Sequence, residues 1–548
     1  MHTVEFAFPK LAPEDIDALR PFATQHLYND GDIVFKAGSP DMDCYIVLSG
    51  ELEILNPADD NKRIVVHTPG HFSGDIDLLT RRPIIVTGVA RGPSTTLLKI
   101  PGDKLRDILN RIPHLGETFL VAFQTRRFLL QSLGTLGLRI IGPGPCKDTN
   151  RVREFLYKNF VPFTWLDTAT PRGQNAFQSI GSPKQTPAII CNDGKILLNP
   201  PLRDLAKCAG IWNDCPDDYV DLAIVGAGPA GISAAVYAAS EGLNTVVLDS
   251  LGPGGQASGS SKIENFIGFP SGLSGTDLAT RGVLQMLKFG AKMIAPICVQ
   301  GITPAANVNE PHALHLDCGN TLHAHVVLVA TGVRWRKLAA KNIEQFDQHG
   351  IYYACTSVEA ELHQGQDVAV VGAGNSAGQA AMFLAERCAR SVYMIIRREL
   401  GIGMSDYLAD RIRNTKNIKV LNFTEVAEVH GDSRIRSITL QTDGKPNSNI
   451  NLAALFIFIG AEPSIPWLPD GRGGVAKDKL GYLLTGVDAE KSGLWPLTDR
   501  SPCPLETTLP RVLAAGDVRS GSTKRVGFAV GDGSLAVTCT HRLRTLRV

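Results

Sequence analysis

Short apolar runs broken by glycine and proline fill the first hundred residues: DIVFKAGSPD from Asp32, CYIVLSGELEIL from Cys44, RIVVHTPGHFSGD from Arg63 and TTLLKIPGDKL from Thr95. Strands of this length and spacing predict a small antiparallel barrel or jelly roll. Gly31, Gly38, Gly50 and Gly70 fall where the chain must turn back. Helical patterns flank the barrel, from Pro13 to Ala23 and from Lys104 to Leu133. After Gly137 the pattern becomes strand, loop, helix and strand in LRIIGPGPCKDTNRVREFLYKNFVPFTWLD. A hairpin across NDG and a terminal helix follow in SPKQTPAIICNDGKILLNPPLRDLAKCAGI. Two longer units then repeat one plan: LAIVGAGPAGISAAVYAASEGLNTVVLDS from Leu222 and QDVAVVGAGNSAGQAAMFLAERCARSVYMIIRREL from Gln366. Each is an apolar strand, a glycine loop, a helix with apolar positions recurring at three and four, and a second strand.

At 548 residues the chain exceeds what one hydrophobic core organises, and about 150 residues per domain gives roughly three to five domains. A formal net charge of +1 with 20% charged residues leaves no electrostatic footprint for nucleic acid or an anionic membrane. The beginning, MHTVEFAFPKLAPEDIDALR, lacks the apolar stretch of a signal peptide. No segment offers the roughly 20 apolar residues of a membrane span. The expectation is a cytoplasmic protein without nucleic-acid or membrane partners. The 11 cysteines are scattered, with no CxxC, which argues against a secreted disulfide framework and against a zinc ribbon. The 13 histidines include no HExxH motif, and no metal site is expected.

The glycine loops carry the legible chemistry. In the first, strand, loop, helix, second strand and a terminal acid occur in order, which makes it a strong dinucleotide signature. Gly226 permits the tight turn, Gly228 lets a pyrophosphate approach the backbone, Pro229 and Ala230 open the helix, and Gly231 lets helix meet strand. The helix N-terminus supplies the positive field. Asp249, ending the second strand, is placed to accept hydrogen bonds from an adenosine ribose. The second loop, Gly372, Gly374, Asn375, Ser376 and Ala377, leads to a strand ending in Arg397 and Arg398. Two guanidinium groups there suit the extra phosphate of NADPH, so NADPH is expected over NADH.

The N-terminal barrel resembles the cyclic-nucleotide-binding domain family, on the cassette FSGDIDLLTRRPIIVTGVA. The resemblance puts Asp75 at the acid that holds the ribose hydroxyl. The arginine that neutralises the cyclic phosphate is replaced by Ile84, forfeiting about 1.5 to 3 kcal/mol of charge-assisted hydrogen bonding. Tight cyclic AMP or cyclic GMP binding is therefore not expected. A docking or dimerisation module and a small-molecule effector site both stay open. Residues 138–212 resemble the glutaredoxin branch of the thioredoxin fold. By that resemblance Thr186–Pro187 is the cis-proline turn and Cys146–Thr149 the active-site loop, with one cysteine where two are usual. The helix beginning just after Cys146 favours a thiolate there. A degenerate spacer domain is the alternative.

From Asp221 onward the chain resembles the low-molecular-weight thioredoxin reductase family, through GPGGQ at Gly252–Gln256, IENFIGFP at Ile263–Pro270, VATG at Val329–Gly332 and LAAGDV at Leu513–Val518. That resemblance implies an FAD site with Gly254, Gly255, Gln256, Glu264, Asn265, Thr331, Gly332, Gly516 and Asp517, and with Arg525 and Val526 beside the flavin. It also implies an NADPH domain (336–464) inserted into an FAD domain (220–335 and 465–548); the barrel domain (1–135), read from its own strand pattern, precedes them. The fold class is accordingly multidomain: barrel or jelly roll with helices, a small thioredoxin-like α/β domain, then two Rossmann-like α/β domains. The family commonly forms homodimers and passes electrons to thioredoxin-like proteins or low-molecular-weight disulfides. Its CxxC would fall on Cys355 to Val358, where the second cysteine is missing, so a dithiol relay cannot run within this loop. Cys355 could pair with Cys146 or an external thiol, respond to peroxide, or be a buried remnant. Electron delivery to another acceptor, a pyridine-nucleotide oxidase and a ligand-gated redox sensor are the alternatives.

Overall fold

The structure, a computed structural model, describes residues 4–545 apart from 40–41, 58, 81, 133–136, 145, 213–218, 261, 347–349, 354, 356, 433 and 464. The joins expected at 136–137 and 213–219 thus lie largely outside the described residues.

The first sheet is antiparallel, in the order Thr24–Tyr28, Thr87–Ile100, Cys44–Asn56, Lys62–His67, with Ile33–Phe35 also on Thr87–Ile100. Two long strands cross closely at Gly50, where φ is +76° and a Cβ would stand 2.3 Å from Thr95 Oγ1. The single helix expected from Lys104 to Leu133 is two, Gly102–Arg111 and Pro113–Ser132. Pro113 has no N–H to continue the first and starts the second. From the second helix Arg127 reaches back under the barrel to Asp75 at 2.7 Å and Asp77 at 2.5 Å. Asp75, expected to face a ribose, is instead buried and bound to that guanidinium.

The middle domain has a four-stranded sheet in the order Phe163–Asp167, Leu138–Gly142, Ala188–Ile190, Ile196–Leu198. The first pair is parallel and the others antiparallel. Helices Lys147–Lys158, Pro171–Ser179 and Leu202–Cys208 pack against it, and the Thr186–Pro187 bond is cis. A disulfide joins Cys191 to Cys208, a pairing that the scattered cysteine pattern did not suggest.

The third sheet has seven strands, and its parallel part runs Lys292–Ile294, Thr245–Leu248, Tyr219–Val225, Thr321–Val329, Val512–Ala514. His312–Leu316 and Val299–Thr303 add antiparallel strands. The central strands are covered on both faces and read as near-continuous Val, Leu, Ala and Ile. Val512–Ala514 enters this sheet from far along the chain. Between come a parallel sheet of Ile351–Tyr352, Ala454–Ile457, Asp367–Val371, Ser391–Ile396 and Ile418–Asn422, and an antiparallel one of Thr424–Gly431, Ile435–Thr442 and Ser448–Asn451. The chain leaves through Arg334–Trp335 and returns through Ala461–Glu462, and these two short strands pair with each other. No helix among the described residues is long and apolar enough to cross a membrane.

Candidate functional site

The first glycine loop connects Tyr219–Val225 to the helix Pro229–Ser240, with Gly228 as N-cap. Gly226 takes φ +107°, and a Cβ on it would stand 2.4 Å from Ala330 O. At Gly231 a Cβ would be 1.9 Å from Gly226 O, so helix and loop touch as the motif requires. Gly228 differs: nothing lies within 4 Å of an added Cβ, and its backbone is extended. The loop therefore leaves room over the helix N-terminus, where an anion is stabilised by the free N–H groups and the helix dipole. Pro229 and Ala230 begin the helix, and Ala230 packs beneath Gly516 and Gly533.

GPGGQ folds onto this loop. Gly254 N–H donates to Ala227 O at 2.8 Å, a Cβ on Gly255 would meet Gly228 Cα at 2.9 Å, and the Gln256 amide donates to Val333 O. Asp249 binds the loop rather than standing free. Its carboxylate accepts from Ala227 N–H at 2.8 Å, Leu251 N–H at 2.9 Å and Gly252 N–H at 2.8 Å. Thr331 begins the turn after Thr321–Val329, and its buried Oγ1 has no partner among the described residues. Gly332 beside it has φ +63° and open space at its Cβ position. Glu264 and Asn265 are exposed, Glu264 paired with Lys262 at 3.0 Å.

The C-terminal segment closes the same end of the sheet. Gly516 N–H donates to Asp532 at 3.0 Å, and Arg519 grips that carboxylate with two nitrogens at 3.1 Å. Asp517 is half-buried, and burial pushes its carboxyl up. Arg525 caps the helix Val526–Arg544, which Val526 opens, while neighbouring Lys524 lies over the Tyr482 ring. That helix packs on Pro229–Ser240: Ser233 Oγ donates to Val530 O at 2.8 Å. The open cradle at Gly228 and the unpartnered Thr331 hydroxyl, with a helix N-terminus beside them, fit a dinucleotide such as FAD.

The second loop repeats the geometry on Asp367–Val371 and Asn375–Arg387. Gly372 has φ +138° and a Cβ on it would stand 2.3 Å from Phe458 O, whereas Gly374, the N-cap, has nothing within 4 Å. Asn375 accepts from Ser405 N–H at 2.8 Å and from its hydroxyl at 3.1 Å; Ser376 is exposed and Ala377 fully buried. Arg397 and Arg398 follow Ser391–Ile396 directly and are exposed. Arg397 makes one loose ion pair with Glu425 at 3.8 Å, which leaves its guanidinium available to an incoming phosphate.

The two cysteines are placed apart in character. Cys355 is 5% exposed and packs in the core of the inserted domain. Burial, reinforced by Glu359, pushes its thiol well above the ordinary value, so it is a protonated apolar residue. The side chain of Val358 lies outside the described residues. Cys146 is half-exposed and N-caps Lys147–Lys158. The opposite end of that helix carries functional contacts that no motif marks. Asn159 Nδ2 donates to Leu251 O at 2.8 Å and Lys158 Nζ to Gly255 O at 3.4 Å, so the middle domain holds GPGGQ from outside. At 1.5 Å per residue, the helix sets Cys146 about 18 Å from that contact.

Residues 220–533, more than half the chain, match the pyridine nucleotide-disulphide oxidoreductase family, and residues 25–112 match the cyclic nucleotide-binding domain. Thioredoxin reductase of Mycoplasma pneumoniae is 32% identical over 319 residues, 58% of this chain and 93% of that protein. Thioredoxin reductase of Treponema pallidum is 32% identical over 322 residues, 58% of this chain and 95% of that protein. The crystal structure of T. acidophilum thioredoxin reductase superposes with a TM-score of 0.53 at 27% identity, over 60% of this chain and 99% of that one. With two glycine-capped helix starts set on separate sheets, the chain belongs to the pyridine nucleotide-disulphide oxidoreductase family and is a thioredoxin reductase-like, FAD-dependent NAD(P)H oxidoreductase with a cyclic nucleotide-binding domain ahead of it.

Proposed function

We propose that the enzyme draws electrons from NADPH through FAD to an external acceptor, without a thiol relay at Cys355. The observation that carries this is the burial of Cys355 as a protonated thiol in a core, with no cysteine at position 358 to complete a CxxC. When bound, FAD supplies the redox chemistry, accepting hydride from NADPH and passing electrons on. Gly226, Gly228 and Gly231, with Pro229 and Ala230, would seat its pyrophosphate. Asp249 would hold the loop's shape through its three N–H contacts. Gly254, Gly255, Gln256, Thr331, Gly332, Gly516 and Asp517 would border it, with Glu264, Asn265, Arg525 and Val526 at the rim. Gly372, Gly374, Asn375, Ser376 and Ala377 would seat NADPH, and Arg397 and Arg398 would take its additional phosphate. The acceptor is a disulfide of a thioredoxin-like protein or small molecule, or a non-disulfide oxidant. Cys146, half-exposed in what resembles a glutaredoxin loop, is the better-placed thiol for a mixed disulfide. We infer a homodimer, as the resemblance to the thioredoxin reductase family implies, and take the cytoplasm as its setting.

The test is anaerobic stopped-flow reduction of the flavoprotein by NADPH, followed by reoxidation with thioredoxin, a small disulfide, a quinone and oxygen. Cys355→Ser should match wild type with every acceptor to within about twofold, as expected for a thiol with too little thiolate to attack. Selective loss of disulfide reoxidation in the variant would return Cys355 to the electron path.

A further inference from the structure

The barrel holds a cavity of about 210 Å³ with a mainly apolar wall that includes Phe35, Ile54, Ile84 and Leu130. Ile84 is the residue that replaces the phosphate-binding arginine, and at 3% exposed it is part of that wall. A cyclic phosphate there would lose its water without gaining a charge partner. Positive charge enters the cavity from another place. Arg126, on the helix Pro113–Ser132, lines it and is 5% exposed. Its Nε donates to Ala7 O and its Nη1 to Gly74 O, both at 2.6 Å, while Nη2 has no partner among the described residues. The guanidinium lies 4.5 Å from the Phe72 ring centre and 5.4 Å from that of Phe8.

A second unpartnered atom belongs to the same lining. His67 is 3% exposed, its Nδ1 has no partner among the described residues, and its ring is 5.8 Å from that of Phe8, the ring Arg126 also covers. Burial and Arg126 hold this imidazole neutral. The two carboxylates of the lining make their close ion pairs elsewhere, and Asp75 acts on Arg126 only through space. Asp43 pairs with Lys99 at 2.8 Å and accepts from Gly102 N–H at 3.1 Å. Asp75 pairs with Arg127 at 2.7 Å and accepts from Asp77 N–H at 2.9 Å. An apolar chamber is thus left with a buried cation that lacks an ion-pair partner among the described residues, a costly arrangement that an incoming anion would relieve.

We propose that this cavity binds an amphiphilic monocarboxylate, with its apolar body in the chamber and its carboxylate on Arg126 beside His67. The apolar wall supplies the larger share of the affinity by area removed from water, and the single cation selects one negative head over a neutral one. A nucleotide is disfavoured by the same wall. The inference is independent of how the reductase passes on its electrons.

Calorimetric titration of the full-length, FAD-loaded protein with decanoate below its micellar concentration tests it, with decanol and cyclic AMP as comparisons. Decanoate should bind saturably at one site per chain. Decanol should bind about tenfold more weakly or worse, and cyclic AMP should give no heat at the same concentrations. Arg126→Gln should weaken decanoate by a similar factor. Because that substitution also removes two backbone hydrogen bonds, Val65→Trp, which fills the chamber from a half-buried lining position, serves as the second variant and should abolish binding. Absence of saturable decanoate binding would overturn the proposal. So would equal affinity for decanol, tighter binding of cyclic AMP than of decanoate, or wild-type decanoate affinity in both variants.

Discussion

Gly228→Ala is expected to give a folded protein that has lost its FAD. Beyond the adjoining residues of the chain, nothing lies within 4 Å of the added methyl group, and the extended backbone at this N-cap suits alanine. Losing a glycine N-cap costs the helix of order 1 kcal/mol at most, so circular dichroism and the melting of the apoprotein should stay close to wild type. The methyl would occupy the space through which a pyrophosphate approaches the helix N-terminus. The ratio of flavin to protein absorbance after purification should fall by about tenfold or more, since charge-assisted contacts to the backbone depend on close approach. Gly231→Ala provides the contrast. Its methyl would stand 1.9 Å from Gly226 O, which forces helix and loop apart and should cost the fold as well as the flavin. Normal flavin content in Gly228→Ala would place the cofactor somewhere other than this loop.

Arg397→Ala combined with Arg398→Ala should raise the KM for NADPH by about tenfold or more, the size expected when charge-assisted phosphate contacts are lost. The KM for NADH should change by less than about twofold, and kcat with either donor should hold. The geometry supports this selectivity. Both side chains are exposed at the end of Ser391–Ile396, and Arg397 has only the Glu425 pair at 3.8 Å to give up. Exposed pairs of that kind contribute about 0 to 1 kcal/mol, so stability should be untouched. Equal effects on the two nucleotides would show that the arginines serve the surface rather than the donor.

The fold class was legible because a glycine loop works through covalent geometry. Gly226, Gly231 and Gly372 are needed where a Cβ would strike backbone, and that need leaves a spacing in the sequence. Asp249 shows the limit of such reasoning. Its position at the strand end was evident, but a short side chain at that place turns back to three backbone N–H groups, a choice that depends on the shape of the following loop. Arg126 left no trace at all. It reaches the barrel from a helix well beyond the cassette, and its meeting with His67 across Phe8 exists only once barrel and helices are packed. The Cys191–Cys208 bridge was hidden for a similar reason, since a strand end and a distant helix are brought together by the sheet order. At Ile84 the sequence indicated the loss of a phosphate site, while the chamber that this loss helps to create became visible only in three dimensions.

The grip of Asn159 and Lys158 on the carbonyls of Leu251 and Gly255 bears on how such a chain can be cut. A truncation beginning near Tyr219 would match the thioredoxin reductases in length, yet it would not yield their equivalent. It would expose to solvent a stretch of loop that here rests on another domain, and leave Gly252, whose Cβ position is 2.7 Å from Asn159 Nδ2, with no wall to fit against. The middle domain is therefore a support for this loop as well as an addition to the reductase, and a shortened chain is expected to need that loop redesigned.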